Sequence, residues 1–183
     1  MKNEENKNKL LNAINEISKL VSLSSDKKMS NEEMDEKMFK ILTILGQAGR
    51  ADRCFVWINY NCKDSSLVFM RQLYEWSEGA ESVQGSELID HIVYEPELYD
   101  LLSAGKALNT IVKDLDDYNR EILEAQAIKS ILLAPIHIDG YFWGFIGFDN
   151  CHSEKLWESF EEEGLMSASL MVAKMIDRFV KNK

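Results

Sequence analysis

Between Ala127 and Asp149 the chain reads AIKSILLAPIHIDGYFWGFIGFD, two apolar runs separated by Asp139-Gly140. This dipeptide suits a tight hairpin turn that needs positive φ. The flanking runs, Ser130–Ile138 and Tyr141–Asp149, have strand length and are rich in β-branched and aromatic residues. Neither alternates cleanly between apolar and polar positions. Such a hairpin needs cover on both faces, which places it at the centre of the fold.

Periodicity and punctuation order the rest. Leu10, Ile14, Ile17 and Val21 mark one face of an amphipathic helix over Lys7–Ser22. After a polar break at Ser24–Ser30, Ser30 and Glu33 form a capping box. The helix it opens turns Met34, Met38, Ile41, Leu42 and Leu45 inward and is expected to end at Gly46 and Gly49. Arg53–Tyr60 and Leu67–Trp76 read as an antiparallel strand pair, followed by a loop over Ser77–Ser86. Ser86–Tyr94 fits either a short strand or a helical turn. Pro96 opens a short helix that Gly105 closes. A short strand at Ala107–Val112 and a helix over Asp116–Ala127 follow, the latter capped by Asp116 or Asp117.

Trp157–Phe179 is the last helix. Its residues Leu165, Ala168, Val172, Met175 and Phe179 step as a heptad seam. The seam predicts a helix that packs on its own domain and also pairs with a symmetry mate. Strand pairs framed by helices from both chain ends imply an α+β protein, with an antiparallel sheet and the terminal helices on one face.

A chain of 183 residues suits one domain with extra helices at its ends. No apolar run approaches a membrane span. The N-terminus, MKNEENKNKLL, lacks the apolar centre of a signal peptide, so a cytosolic location is expected. The net charge of -10 is concentrated: Glu78–Glu124 holds twelve acids and three bases, which alone supplies -9. That field repels nucleic acid and anionic lipid. It fits a solvated acidic surface or an acidic lid that favours cationic ligands. Three cysteines, Cys54, Cys62 and Cys151, cannot all pair with one another, and a cytosolic chain keeps them reduced.

Several of these stretches together resemble the GAF domain, a small-molecule sensory module of signalling proteins. ILGQAGRADRCFVW is similar to the family's junction of helix and first strand, and LYEW, Leu73–Trp76, to the end of its second strand. EILEAQAIKSILLAPIHIDGYFWGFIGFDNC, Glu121–Cys151, carries the strongest likeness. Trp157 then opens the terminal helix, as in relatives from histidine kinases and diguanylate cyclases. The resemblance implies an N-terminal helix and linker over 1–30 and a sensory domain over 31–183. Its sheet would carry helices on one face and a lid, Ser77–Glu124, over a pocket on the other. It also implies paired terminal helices in a homodimer and a kinase or cyclase as output. No output domain is expected before Lys183, so the chain reads as a separate sensory protein or the sensory part of a longer one.

The known uses of the family test the residues further. Bilin-binding members attach chromophore through a cysteine whose register here falls near Tyr118 and Asn119, where no thiol stands. Members that reduce methionine sulfoxide group cysteines mid-domain, where this chain has none between Cys62 and Cys151. Cys54 reads as a small core residue. The cyclic-nucleotide motif is missing, and Cys151, His152 and Cys62 match no zinc spacing. No cofactor or metal is therefore expected. His137 reads as an edge residue, while Glu75 and Asp149 are read as acceptors of hydrogen bonds across the sheet. For a bound small molecule the candidates are Tyr74, Trp76, His91, Tyr94, Tyr99 and Trp143. A non-catalytic sensory domain is the leading expectation. A ligand-free interaction module and a thiol reductase are the alternatives.

Overall fold

The computed structural model describes residues 2–22, 29–63, 65–90 and 92–181, less the side chain of Leu88. His91 and most of the break at Ser24–Ser30 lie outside the described residues. The helices are α1 (Lys2–Ser22), α2 (Asn31–Gly49), α3 (Pro96–Ser103), α4 (Asp117–Glu124) and α5 (Ser159–Lys181). The strands are β1 (Arg53–Asn61), β2 (Val68–Ser77), β3 (Ile92–Val93), β4 (Leu108–Ile111), β5 (Ser130–Ile138) and β6 (Tyr141–Asn150). All pair antiparallel in one sheet, in the order β3-β2-β1-β6-β5-β4. The expected α+β architecture is present, with the terminal helices on one face and the α3 and α4 segments on the other.

Local chemistry accounts for most boundaries. The Glu33 amide donates to Ser30 Oγ at 3.2 Å, and the Ser30 amide donates to Glu33 Oε2 at 2.9 Å, a closed capping box. Asp116 caps α4 by accepting from the Asn119 amide at 3.0 Å. Asp139 and Gly140 take φ of 49° and 82°, so the β5–β6 turn has positive φ at both central residues. The register shifts between Ile136 and His137, beside Pro135, on an edge that β4 does not reach. Both readings of Ser86–Tyr94 occur in succession: a 3₁₀ turn at Glu87–Ile89, then β3.

Gly46 is not a helix terminator. Helix α2 runs through it to Gly49, and Arg50 closes the helix in the left-handed region at φ 53°. Gly46 is required because a Cβ there would come within 2.1 Å of the Trp76 ring.

The main core lies between the sheet and α1, α2 and α5. Helix α5 rests on β5 and runs beside α1, so the two chain ends lie side by side. Leu165, Ala168 and Val172 are fully buried there, Met175 is 1% exposed, and Phe179 packs on the same core. The heptad seam thus faces the chain's own interior from Leu165 to Met175, with Phe179 half-buried at its end. Period alone marks a buried face without saying what buries it. The exposed large apolar residues of α1 and α5 are Leu11, Leu170 and Val180. Buried Glu161 anchors the start of α5 by accepting from the Glu158 amide and from Arg50 Nη2, both at 2.9 Å.

Candidate functional site

Strand alternation sends Phe55 and Trp57 of β1, Ile131 and Leu133 of β5, and Phe145, Gly147 and Asp149 of β6 to the lid face. A Cβ on Gly147 would come within 2.4 Å of the Phe55 ring and 2.7 Å of Leu133, so those two side chains occupy the room that the glycine leaves. Beyond them, between sheet and lid, lies an apolar cavity of about 50 Å³. Its lid side is supplied by residues such as Leu98, Leu115, Ile122 and Leu123. Its polar wall consists of Gln72, Asn119, Gln126 and Asp149.

The Asp149 end continues into a buried polar cluster. Arg53 is 2% exposed and Asp149 1%, with Arg53 Nε 3.5 Å from Asp149 Oδ2. Arg53 Nη2 donates to the Gln126 carbonyl at 2.6 Å and lies 2.8 Å from Cys151 Sγ. Burial is the strongest single influence and works against the Arg53 charge, but Asp149, Cys151 and Glu75 together outweigh it and the guanidinium stays firmly protonated. Burial lifts the Asp149 carboxyl from 3.8 to about 7; Arg53 opposes the rise, and Glu75 and Asp52 add to it. Glu75, also buried, accepts from Ser82 Oγ at 2.5 Å, from the Val83 amide at 3.1 Å and from Gln72 Nε2 at 3.1 Å. It therefore ties the loop after β2 to the sheet.

The sequence-predicted aromatic residues divide between the two faces. Tyr74 and Trp76 of β2 and Trp143 of β6 pack on the helical layer, across the sheet from the cavity. Tyr74 donates its hydroxyl to Asp35 Oδ1 of α2 at 2.6 Å, and burial and that carboxylate raise its phenol. Tyr94 and Tyr99 do lie on the lid face. They form an aromatic cluster with Phe142, beside the cavity and not in its wall. Tyr94 donates to Asn59 Oδ1 at 2.6 Å. His137 donates from Nε2 to the Ser103 carbonyl at 3.0 Å, which fixes α3 over the hairpin.

The polar wall residues Gln72, Asn119 and Gln126 are ones that sequence reasoning did not single out as ligand contacts. Asn119 stands in the register assigned to the bilin thiol, so an amide lines the cavity at that place. Burial pushes the Cys151 thiol up to about 11 and holds Cys54 well above its ordinary value. Neither is an activated thiolate. Among the described residues no group of three or more His, Cys, Asp or Glu side chains is placed to hold a metal ion. Among the described residues no helix is long and apolar enough to cross a membrane.

Terminal helices on one face of an antiparallel sheet, and a lid over an apolar cavity on the other, define a sensory-module fold. The chain belongs to the GAF domain family, whose family model matches residues 33–176. It is 35% identical over 143 residues to the methanogenesis regulatory histidine kinase FilI of Methanothrix harundinacea (strain 6Ac). That match covers 76% of this chain and 16% of the kinase, so the chain spans a small part of that relative's length. Among solved structures it is similar to a far-red-absorbing dark state with bound biliverdin IXa, at TM-score 0.70 and 15% identity, over 92% of this chain and 99% of that one. It is also similar to a phycoerythrobilin-bound GAF domain from a cyanobacterial phytochrome, at TM-score 0.71 and 10% identity, over 92% and 97%. The blue-light-absorbing PixJ GAF domain of Thermosynechococcus elongatus aligns at TM-score 0.65 and 13% identity, over 82% and 88%. At these identities the likeness is one of fold.

Proposed function

We propose that this GAF domain is a non-catalytic small-molecule sensor in a signal-transduction protein, and that its ligand binds in the cavity between sheet and lid. The observation that carries this reading is the cavity itself, apolar over most of its wall with a few convergent polar groups at one end. A cavity of about 50 Å³ admits only a few non-hydrogen atoms. A tetrapyrrole does not fit it, and no cysteine lines it. Ligand binding favours the lid-closed state by its difference in affinity between two conformations. The change reaches α5 through β5 and passes to α1 beside it. A second copy of the chain and a kinase or cyclase output are the partners this reading assigns, with the domain in the cytoplasm.

Thermal denaturation against small amphipathic molecules tests the reading. A specific ligand raises Tm in proportion to its excess over Kd, and the cavity-filling variant Ile122→Trp abolishes the rise. The reading fails if no small molecule shifts Tm in a cavity-dependent way.

A second reading is favoured by the aromatic cluster of Tyr94, Tyr99, Phe142 and Phe145, which fills much of the lid face. In it the domain is a ligand-free interaction module whose helices scaffold a partner.

A further inference from the structure

We infer that the cavity takes a small aliphatic amine in its ammonium form, with its carbon body against Phe55, Leu133 and Ile122 and its N–H groups on Gln72, Asp149 and Asn119. The inference rests on the sensory reading above and names its ligand class. The first argument is that the polar wall offers acceptors. Gln72 Nε2 donates to Glu75 Oε2 at 3.1 Å, and a carboxylate can only accept, which fixes the orientation of the amide. Gln72 Oε1 is then left buried with no donor among the described residues. An unmet acceptor of this kind costs stability until a donor arrives. Asn119 spends Nδ2 on Asp116 Oδ2 at 2.6 Å, and Gln126 spends Nε2 on the Ile122 carbonyl at 3.2 Å. Their oxygens are the ends not committed to these bonds.

The second argument is charge. Arg53 faces the carboxylates of Asp149 and Glu75 from outside the cavity wall: Nη2 is held by the Gln126 carbonyl and Cys151, Nε stands 3.5 Å from Asp149 Oδ2, and Nε and Nη1 are buried with no hydrogen-bond acceptor among the described residues. No lysine, arginine or histidine among the described residues lines the cavity. An anion would enter beside two carboxylates and find no cation in the wall. An ammonium supplies the missing positive charge and up to three donors for the facing oxygens. The surrounding segment from Glu78 to Glu124, with its charge of -9, draws cations toward the lid.

Ammonium binding requires ionised Asp149. The charged groups acting on that carboxyl are Arg53 of β1, Glu75 of β2 and Asp52 before β1, and the neutral Cys151 thiol after β6 donates a hydrogen bond to it. An alkylammonium stays charged to about pH 10. Amine affinity therefore rises with pH, by up to about tenfold per unit below about 7, and levels off above it.

Isobutylamine, isobutanol and isobutyrate share one branched carbon skeleton and differ in the polar head. The test measures Tm shifts and, by ligand-observed NMR, Kd for each with the 183-residue chain at pH 8, and repeats the amine at pH 6. The expected result is binding of isobutylamine with isobutyrate excluded, loss of binding in Ile122→Trp, and a weakening of roughly tenfold in Gln72→Leu. Asp149→Asn should abolish the pH dependence; if it fails to fold, Gln72→Leu still decides. Isobutyrate binding, or isobutanol binding equal to the amine, would overturn the ammonium assignment while leaving the sensory reading intact. No binding by any of the three overturns the assignment; the sensory reading falls only if the wider search for a cavity-dependent ligand also fails.

Discussion

Gln72 and Glu75 lie three residues apart on β2, yet both face the lid, and Gln72 Nε2 donates to Glu75 Oε2 at 3.1 Å. Strict alternation would put them on opposite faces. The register explains the exception: Val56 pairs with Tyr74 and Trp57 with Gln72, so Leu73 is an extra residue in the strand. This bulge brings Gln72 and Glu75 to one side and leaves Tyr74 and Trp76 on the other. One inserted residue thus brings Gln72 into the polar wall of the cavity.

Glu75 holds three donors from two parts of β2 and its loop, so Glu75→Ala should release all three. Hydrogen bonds to a charged group contribute roughly 1.5–3 kcal/mol each when one partner is removed, and partial rehydration near the loop brings the expected total to about 2–4 kcal/mol. Urea denaturation reads the loss. Amide exchange at Val83, whose N–H donates to Glu75 Oε1 at 3.1 Å, should speed up selectively. Unchanged protection at Val83 would mean that the loop is held by something else.

The pH dependence of stability should carry the mark of Asp149. Its carboxyl stands at about 7 in the folded chain against an ordinary 3.8, so the folded state binds the extra proton between those values. Stability from this group is fully present below about 4 and is lost as pH rises toward 7, at no more than about 1.4 kcal/mol per pH unit. Asp149→Asn has no such proton to release. The stability of the natural chain minus that of the variant should therefore fall between pH 4 and 7 and stay flat above. A difference that does not change with pH would place the Asp149 carboxyl in its ordinary range.

Local signals are the legible part of this fold. The Ser30–Glu33 capping box, the Asp116 cap and the Asp139-Gly140 turn are each decided by residues within a few positions, and each forms as its sequence predicts. Which face of the sheet a residue takes is not local. Tyr74, Trp76 and Trp143 look like pocket aromatics because aromatics line pockets. Both faces of this sheet are covered, however, and two bulges reset the alternation, the one beside His137 signalled by Pro135 and the one at Leu73 without a sequence signal. Arg53 opens a strand and would ordinarily sit at an exposed end; only the placement of Asp149 and Gln126 shows it buried. Gln72 and Asn119 acquire meaning from a cavity assembled out of distant segments.

Trp76 should behave as a structural clamp and not as a ligand contact. A Cβ on Gly46 would lie 2.1 Å from its ring, so Gly46→Ala must drive α2 and β2 apart or displace the indole. Overpacking of this kind costs about 1–3 kcal/mol. Combining it with Trp76→Leu should recover part of that cost, a coupling that a double-mutant cycle in urea measures. Additive losses would show that the ring and the glycine do not meet.

Helix α5 offers two substitutions that separate folding from association. Val172 is fully buried against the sheet-side core, whereas Leu170, two residues earlier, is 64% exposed. A glutamate at 172 would bury a charge with no partner, at a cost of several kcal/mol, comparable to the whole stability of a small domain. Val172→Glu should therefore lose cooperative unfolding and near-ultraviolet circular dichroism. Leu170→Glu places its charge in solvent, and the monomer should keep its melting temperature within a few degrees. If two copies associate through the outer face of the terminal helices, the same change should lower the sedimentation coefficient toward that of a monomer. Leu11→Glu, on the exposed face of the neighbouring α1, should do likewise. A dimer that survives both variants would place the contact elsewhere, and the relay through α1 and α5 would then need a different partner surface.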